Sequence, residues 1–193
     1  MTRTAILVSG TGRSLKNLLD LEQAGVLPTE TALVISSRPD VKALDHARAR
    51  DIPSAVCKAG ALTDTLDAAA IDLVVMAGYL KRWPIPHAYV GKTINIHPAL
   101  LPLFGGKGMY GHHVHEAVIA SGMRVSGCTV HFVTPDYDEG PIIGQRTVPV
   151  LWDDDAETLA ARVFEQECAL LPECVAMVAR GEVKLVGGRA LRG

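Results

Sequence analysis

The sequence predicts an α/β fold: a three-layer, doubly wound, mostly parallel sheet with an antiparallel pair near its C-terminal end. Short apolar runs alternate with longer stretches of helical periodicity, which is typical of a parallel sheet covered by helices. Asp72–Met76 is apolar on both faces, as a strand buried between two layers should be. Two longer strand-like runs, Val125–Val133 and Ile142–Val150, are separated only by Thr134–Pro141, which favours an antiparallel pair.

The first elements follow from periodicity and from turn residues. Thr4–Val8 is β-rich and ends at a Gly-containing turn, and Ser14–Ala24 then carries leucines largely on one face. Further strands are predicted at Thr31–Ile35, Ser54–Cys57 and Lys92–Ile96, and further helices at Val41–Arg50, Leu62–Ala70 and Tyr110–Ser121.

The last helix is expected to begin near Asp153–Asp155, because Asp154 and Glu157 have the spacing of a capping box. Its apolar stripe continues to about Arg180 despite Pro172. Glu167 falls on that stripe, where a carboxylate is costly unless it is paired or liganded. A partner such as Arg162 and a ligand hydroxyl both remain open.

Composition indicates one globular domain over residues 1–193, in which any partner is recognised at a local site. Apolar residues make up 48% and charged residues 21% of the chain, and the net charge of −2 comes with no basic stripe. We therefore expect no nucleic-acid partner. The N-terminal apolar run is too short for a signal peptide or a membrane span. The four cysteines have no disulfide or metal spacing, so a reducing, cytoplasmic location is expected.

Loops that follow strands hold most of the unusual polar residues, and ligands of doubly wound folds bind at these carboxyl ends. The loop from Ser9 to Ser14 combines glycines, a guanidinium at Arg13 and a hydroxyl at Ser14, which suits a phosphate group. It is not a dinucleotide fingerprint, because Leu15 stands where the third glycine belongs, and it lacks the Lys of a Walker A loop. A plain turn between strand and helix remains an alternative.

Asn95 and His97 are two residues apart at the end of a predicted strand, so their side chains project side by side. An amide donor beside an imidazole suits oxyanion binding and proton transfer. A structural Asn with a capping His is the alternative. Asp138 lies in a loop that could reach this pair, and a carboxylate there is expected to raise the pKa of His97.

Two other readings of polar clusters remain open. The histidines at positions 112, 113, 115 and 131, with Asp138, suggest a zinc hydrolase, although a helix would not hold histidines two residues apart on one ion. A reductase binding NADP could use Ser36, Ser37 and Arg38 after the second strand.

Three segments, Asn95–Pro102, Gly127–Val133 and Asp138–Ile143, resemble the family of formyltransferases that use formyltetrahydrofolate. The Ser9–Leu15 turn and Gln166-Glu167 are similar to the branch that acts on glycinamide ribonucleotide. The resemblance covers nearly the whole chain. It implies transfer of a formyl group from 10-formyltetrahydrofolate, as co-substrate, to the amine of that ribonucleotide in purine biosynthesis. It also implies no metal or permanent cofactor, and a monomer or homodimer.

The resemblance also assigns roles by position. It implies that Asn95, His97 and Asp138 are catalytic, and that Glu167 holds the ribose. Its phosphate-binding turn matches Gly12, Arg13 and Ser14, although only the glycine is identical. The folate-binding residues that it implies are Leu80, Lys81, Arg82, Trp83, Asn95, Val133 and Asp138.

Two stretches depart from the family pattern. The segment between Cys57 and Asp72 offers no counterpart of an arginine used near the folate tail, and Lys107–Tyr110 is an insertion in the loop over the site. Relatives that hydrolyse formyltetrahydrofolate or formylate methionyl-tRNA are expected to carry a further domain, which 193 residues do not accommodate.

Overall fold

The computed structural model describes residues 1–193 and contains nine strands and five α-helices. The strands are β1 (Thr2–Val8), β2 (Thr29–Ser36), β3 (Ser54–Val56), β4 (Leu73–Met76), β5 (Thr93–His97), β6 (Val125–Phe132), β7 (Ile142–Pro149), β8 (Val183–Val186) and β9 (Arg189–Arg192). The helices are α1 (Arg13–Gln23), α2 (Ala43–Arg48), α3 (Leu62–Ala68), α4 (His112–Ala120) and α5 (Ala156–Ala179). Short 3-10 turns occupy Ala59–Ala61 and His87–Tyr89.

Seven strands form one sheet in the order β3-β2-β1-β4-β5-β6-β7. The pairs among β1 to β5 are parallel, whereas β6 pairs antiparallel with both β5 and β7. The predicted fold class is therefore confirmed, including the antiparallel pair. The direction in which successive strands are added reverses between β1 and β4. A crevice therefore forms between the loops that follow these two strands, at the carboxyl-terminal end of the sheet.

Apolar side chains cover both faces of the sheet and create three layers. On one face, Ile6 and Val8 belong to a core of 29 buried residues that includes leucines of α1 and Val163 of α5. On the other face, Leu7 belongs to a core of 13 buried residues that includes Leu66 of α3. All four residues of β4 are buried, as its two apolar faces predict.

The start of α5 differs from the prediction. Asp155, not Asp154, is the N-cap; its side chain accepts from the N–H of Thr158, whose hydroxyl in turn accepts from the Asp155 N–H. Asp154 instead accepts hydrogen bonds from Arg162 at 2.7 and 2.9 Å. The helix continues through Pro172 as expected.

The hairpin of β8 and β9 was not predicted. Its two-residue turn, Gly187-Gly188, has positive φ at both positions, which is typical of a tight hairpin turn between twisted strands.

None of the helices is both long enough and apolar enough to cross a membrane.

Candidate active site

A cavity of about 600 Å³ opens at the carboxyl ends of β1, β4 and β5. Its walls come from the loops after these strands, from the start of α4 and from one face of α5. The residues predicted to act on a substrate that line it are Gly12, Arg13, Ser14, Leu80, Asn95, His97, Asp138 and Glu167. The fold thus brings together residues more than 150 positions apart in the sequence, at the carboxyl ends of the central strands where the strand order reverses.

Asn95 is held in place by a histidine on the neighbouring strand. The register of β5 and β6 sets Asn95 opposite His131, and the Asn95 amide donates to His131 Nε2 at 3.1 Å. His131 Nδ1 donates to the carbonyl of Phe132 at 2.8 Å, because a carbonyl oxygen only accepts. The second amide hydrogen of Asn95 is therefore free to point into the cavity.

His97 lies two residues further along β5, and its side chain is almost fully buried. Its Nε2 donates to the carbonyl of Phe104 at 2.8 Å, which leaves Nδ1 facing Asp138 Oδ2 at 3.6 Å. Phe104, whose carbonyl accepts this hydrogen bond, has a φ of 54°. The predicted proximity of Asp138 to His97 is found in the structure.

Burial lowers the pKa of His97 below its usual value, although Asp138 and the Phe104 carbonyl act in the opposite direction. The expected net rise is therefore wrong, because desolvation of the ring outweighs the nearby carboxylate. A pKa below the usual 6.5 favours neutral His97 at pH 7, and the hydrogen bond to the Phe104 carbonyl places its proton on Nε2 and its lone pair on Nδ1.

Asp138 keeps its charge in this enclosed position. Burial alone would raise the pKa of Asp138, but His131, His97 and the Gly106 N–H together hold that pKa below its usual value. The Gly106 N–H donates to Oδ2 at 2.9 Å, and Oδ1 lies 3.6 Å from His131 Nε2. The carboxylate thus lies between two imidazoles and can stabilise a positive charge on His97.

The glycine turn before α1 has the geometry of an anion site. Gly12 precedes the helix with a φ of 76°, and a Cβ there would lie 2.7 Å from Ala43. No side chain caps the N–H groups that open α1. Arg13 and Ser14 follow Gly12 and line the same cavity, as the sequence predicts.

The residues suggested for an NADP phosphate hold this turn instead. The Ser9 and Ser37 hydroxyls lie 2.7 Å apart, and the Arg38 guanidinium donates to the Ser9 carbonyl at 2.9 Å. Ser9 Oγ also accepts from the Leu80 N–H at 2.9 Å. The loops after β1, β2 and β4 are thereby joined, which favours a structural role for Ser37 and Arg38.

Glu167 lies on the face of α5 that lines the cavity. Desolvation raises its pKa to about 7, with Arg13 the only charge that opposes the rise. Arg162, the partner considered from the sequence, is bound to Asp154 instead. The position of Glu167 thus favours the second alternative, a ligand in the cavity.

The segment expected to contact the folate divides into two parts. Leu80 is half exposed and lines the cavity. Lys81 and Arg82 are exposed and lie outside the cavity lining, whereas Trp83 is buried and its ring N–H donates to Thr63 at 3.2 Å. Val133 is partly buried and also outside the lining. Folate binding by the four residues outside the cavity lining, Lys81, Arg82, Trp83 and Val133, stays a prediction.

The histidines considered for zinc do not converge. His112 and His115 line the cavity, whereas His113 is exposed and lies 3.3 Å from Glu116. His131 lies on β6 beside Asn95. No group of three or more His, Cys, Asp or Glu side chains is placed to hold a metal ion.

His115 makes the stability of the fold dependent on pH. Burial, together with the charges of His112 and His97, lowers its pKa to about 4, and its Nδ1 has no hydrogen-bond partner. The unfolded chain therefore binds more protons below a pH of about 6.5, and stability falls as the pH is lowered.

We expect wild-type protein to lose about 3 kcal/mol more free energy of unfolding than His115→Leu when the pH falls from 7 to 4. Urea unfolding of both proteins across this range measures the difference. His113→Leu, on the exposed side of the same helix, is the control and should parallel the wild type. Parallel curves for His115→Leu and wild type would contradict the assignment.

Some site residues were missed or misread from the sequence. His131 was considered only as a zinc ligand, and its role beside Asn95 depends on the strand register. Phe164 was not considered; it lines the cavity one helical turn before Glu167. The predicted insertion Lys107–Tyr110 also lines the cavity, so it contributes directly to the walls of the site.

Residues 2–175 match the family model described as Formyl transferase, and the chain belongs to that family. Relatives of the chain include proteins named phosphoribosylglycinamide formyltransferase. The chain is 41% identical over 186 residues to the chloroplastic enzyme of Vigna unguiculata, with 90% of this chain and 59% of that protein covered. It therefore spans less than two thirds of the length of that relative.

Two bacterial relatives align over most of their length. The phosphoribosylglycinamide formyltransferase of Haemophilus influenzae is 34% identical over 197 residues, covering 96% of this chain and 91% of that protein. The crystal structure of glycinamide ribonucleotide transformylase 1 from Symbiobacterium toebii superposes with a TM-score of 0.92 at 36% identity, covering 100% of this chain and 94% of that chain. The relationship thus extends over the sheet and the whole of the candidate site.

Proposed function

We propose that the chain transfers the formyl group of 10-formyltetrahydrofolate to the amine of glycinamide ribonucleotide, a step of purine biosynthesis, and that residues 1–193 act as one formyltransferase domain. The observation that carries the proposal is the cluster of Asn95, His97 and Asp138 at one end of a cavity. The glycine turn with Arg13 and Glu167 line the same cavity and offer groups for a phosphate and a ribose. The partners are these two small molecules, and the acting species is a monomer or a homodimer.

In this proposal, the substrate amine attacks the formyl carbon and an oxyanion develops on the formyl oxygen. Asn95 donates its free amide hydrogen to that oxygen. The hydrogen bond to His131 fixes the orientation of the amide before the substrate arrives, so no reorganisation is needed as the charge develops.

His97, with Asp138 beside it, transfers the proton of the attacking amine to the leaving nitrogen. The attacking amine gives up a proton to the lone pair on His97 Nδ1, directly or through one water. The resulting imidazolium lies between the oxyanion and Asp138, and both negative charges stabilise it. As the bond from carbon to N10 breaks, N10 takes this proton, so His97 returns to its neutral state with tetrahydrofolate and the formamide as products.

The other cavity residues bind the substrates. The N–H groups at the start of α1, with Arg13 and Ser14, bind the phosphate of the ribonucleotide, and Glu167 accepts from ribose hydroxyls. Leu80 and Asp138 contact the formyl folate at the opposite side, with Lys81, Arg82, Trp83 and Val133 around it. The donor itself carries the activated one-carbon unit, so no bound metal or cofactor takes part.

The first test is the absorbance change of a formyl folate on deformylation, measured with and without glycinamide ribonucleotide. We expect turnover that strictly requires the ribonucleotide. Folate release at the same rate without it would identify a hydrolase that uses water as acceptor. The absence of release under both conditions would contradict the proposal altogether.

A further inference from the structure

The side chain of Arg13 is held by an aromatic ring and by no acidic group. Its guanidinium carbon lies 3.7 Å from the centroid of the Phe164 ring. The charge of Arg13 lowers the pKa of Glu167, but no hydrogen bond joins the two side chains. The N–H donors of a guanidinium lie in the guanidinium plane, so a guanidinium stacked on a ring can still donate all of them to a ligand beside the stack.

Phe164 and Glu167 are three residues apart on α5, so they lie on the same face of the helix, with Ala160 one turn before Phe164. All three line the cavity of the candidate active site, beside the glycine turn. The Asn17 amide donates to the Cys168 carbonyl at 2.8 Å, which fixes α1 against α5 next to this stack. The ring is thus attached to a rigid helix, whereas Arg13 has a long and flexible side chain.

From this arrangement we propose that Phe164 is a positioning residue for the ribonucleotide: its ring holds the Arg13 guanidinium ready to bind the phosphate. The inference rests on the proposed function, since it concerns the phosphorylated substrate of the same site. Without the ring, Arg13 loses rotational freedom only when the phosphate binds. This loss of side-chain entropy makes the binding of the substrate weaker. The formyl folate, at the other side of the cavity, is unaffected.

The test is Phe164→Leu, which keeps an apolar side chain but removes the ring face. We expect the KM for glycinamide ribonucleotide to rise by about fivefold to tenfold, with kcat and the KM for formyl folate within about twofold of wild type. Phe164→Tyr keeps the ring and should restore the wild-type KM. Phe164→Met makes the same test as leucine if Phe164→Leu does not fold.

The matched control is the second arginine–aromatic stack of the chain. Arg124 lies 3.8 Å from the centroid of the Trp152 ring, and Trp152 is 90% exposed and outside the cavity. Trp152→Leu should leave both KM values unchanged. In an Arg13→Ala background, Phe164→Leu should add no further increase, because the group that it positions is gone.

An equal rise in both KM values, an unchanged KM in Phe164→Leu, or the same rise in the Arg13→Ala background would overturn the inference. Calorimetric titration with ribose 5-phosphate needs no formyl transfer and separates this inference from the proposed function. Weaker binding by Phe164→Leu than by wild type would support the positioning role even if the wild type formylated no ribonucleotide. Equal binding by the two proteins would reject it, whatever the outcome of the turnover assay.

Discussion

Replacement of Asn95 or His97 by alanine is expected to lower kcat by at least about a hundredfold. In the proposed mechanism, Asn95→Ala removes the amide hydrogen that binds the oxyanion, and His97→Ala removes the base next to Asp138. Each of these contacts matters most in the transition state, so kcat should fall more than the affinity for either substrate. Steady-state kinetics with both substrates varied measures the effect.

Both variants should remain folded. Asn95→Ala leaves His131 Nε2 without its donor, a loss of about 1–3 kcal/mol that is small beside the stability of a typical domain. His113→Ala, which changes an exposed histidine of α4, is the control and should retain wild-type kcat. Near-normal kcat in folded Asn95→Ala and His97→Ala would remove these residues from the mechanism.

Glu167→Gln is expected to stabilise the protein and to impair it as an enzyme. The folded-state pKa of Glu167 is about 7, above the usual value of 4.5, so the folded state binds the extra proton between these values. Stability therefore falls as the pH rises through this window, and ionised Glu167 costs up to about 3 kcal/mol at pH 8. A neutral glutamine avoids this cost at pH 8 and gives no advantage at pH 4.

Under the proposed function, the same substitution should weaken the binding of the ribonucleotide, because a charged acceptor of ribose hydroxyls becomes a neutral one. We expect its KM to rise by about tenfold or more, since hydrogen bonds to charged groups contribute about 1.5–3 kcal/mol. Thermal or urea unfolding at both pH values and steady-state kinetics measure the two effects. Glu165→Gln, at an exposed position of the same helix, is the control. A stability gain for Glu167→Gln at pH 4 equal to that at pH 8 would contradict the titration argument.

The sequence predicted the parts of the site that depend on local rules. Asn95 and His97 share one face of a strand end because side chains alternate along a strand, and β5 places both at the cavity. The inward position of Glu167 followed from helical spacing in the same way. The parallel sheet itself followed from apolar runs such as β4, which is buried along its full length.

Features that depend on pairing between distant segments were beyond local rules. His131 lies opposite Asn95 because of the β5–β6 register, which the chain adopts only in the assembled sheet. The pKa of His97 required the burial created by the loop around Phe104, whereas the sequence suggested only the charge of Asp138. The Gly187-Gly188 hairpin, by contrast, carried a local turn signal that could have been used.

The most direct test of the central claim follows the formyl carbon itself. Wild-type protein is mixed with 10-formyltetrahydrofolate carrying ¹³C in the formyl group and with glycinamide ribonucleotide, and the label is observed by NMR. We predict that the folate formyl signal disappears as a single formamide signal on the ribonucleotide grows at the same rate. Label appearing as free formate, or remaining on the folate, would contradict formyl transfer by this chain.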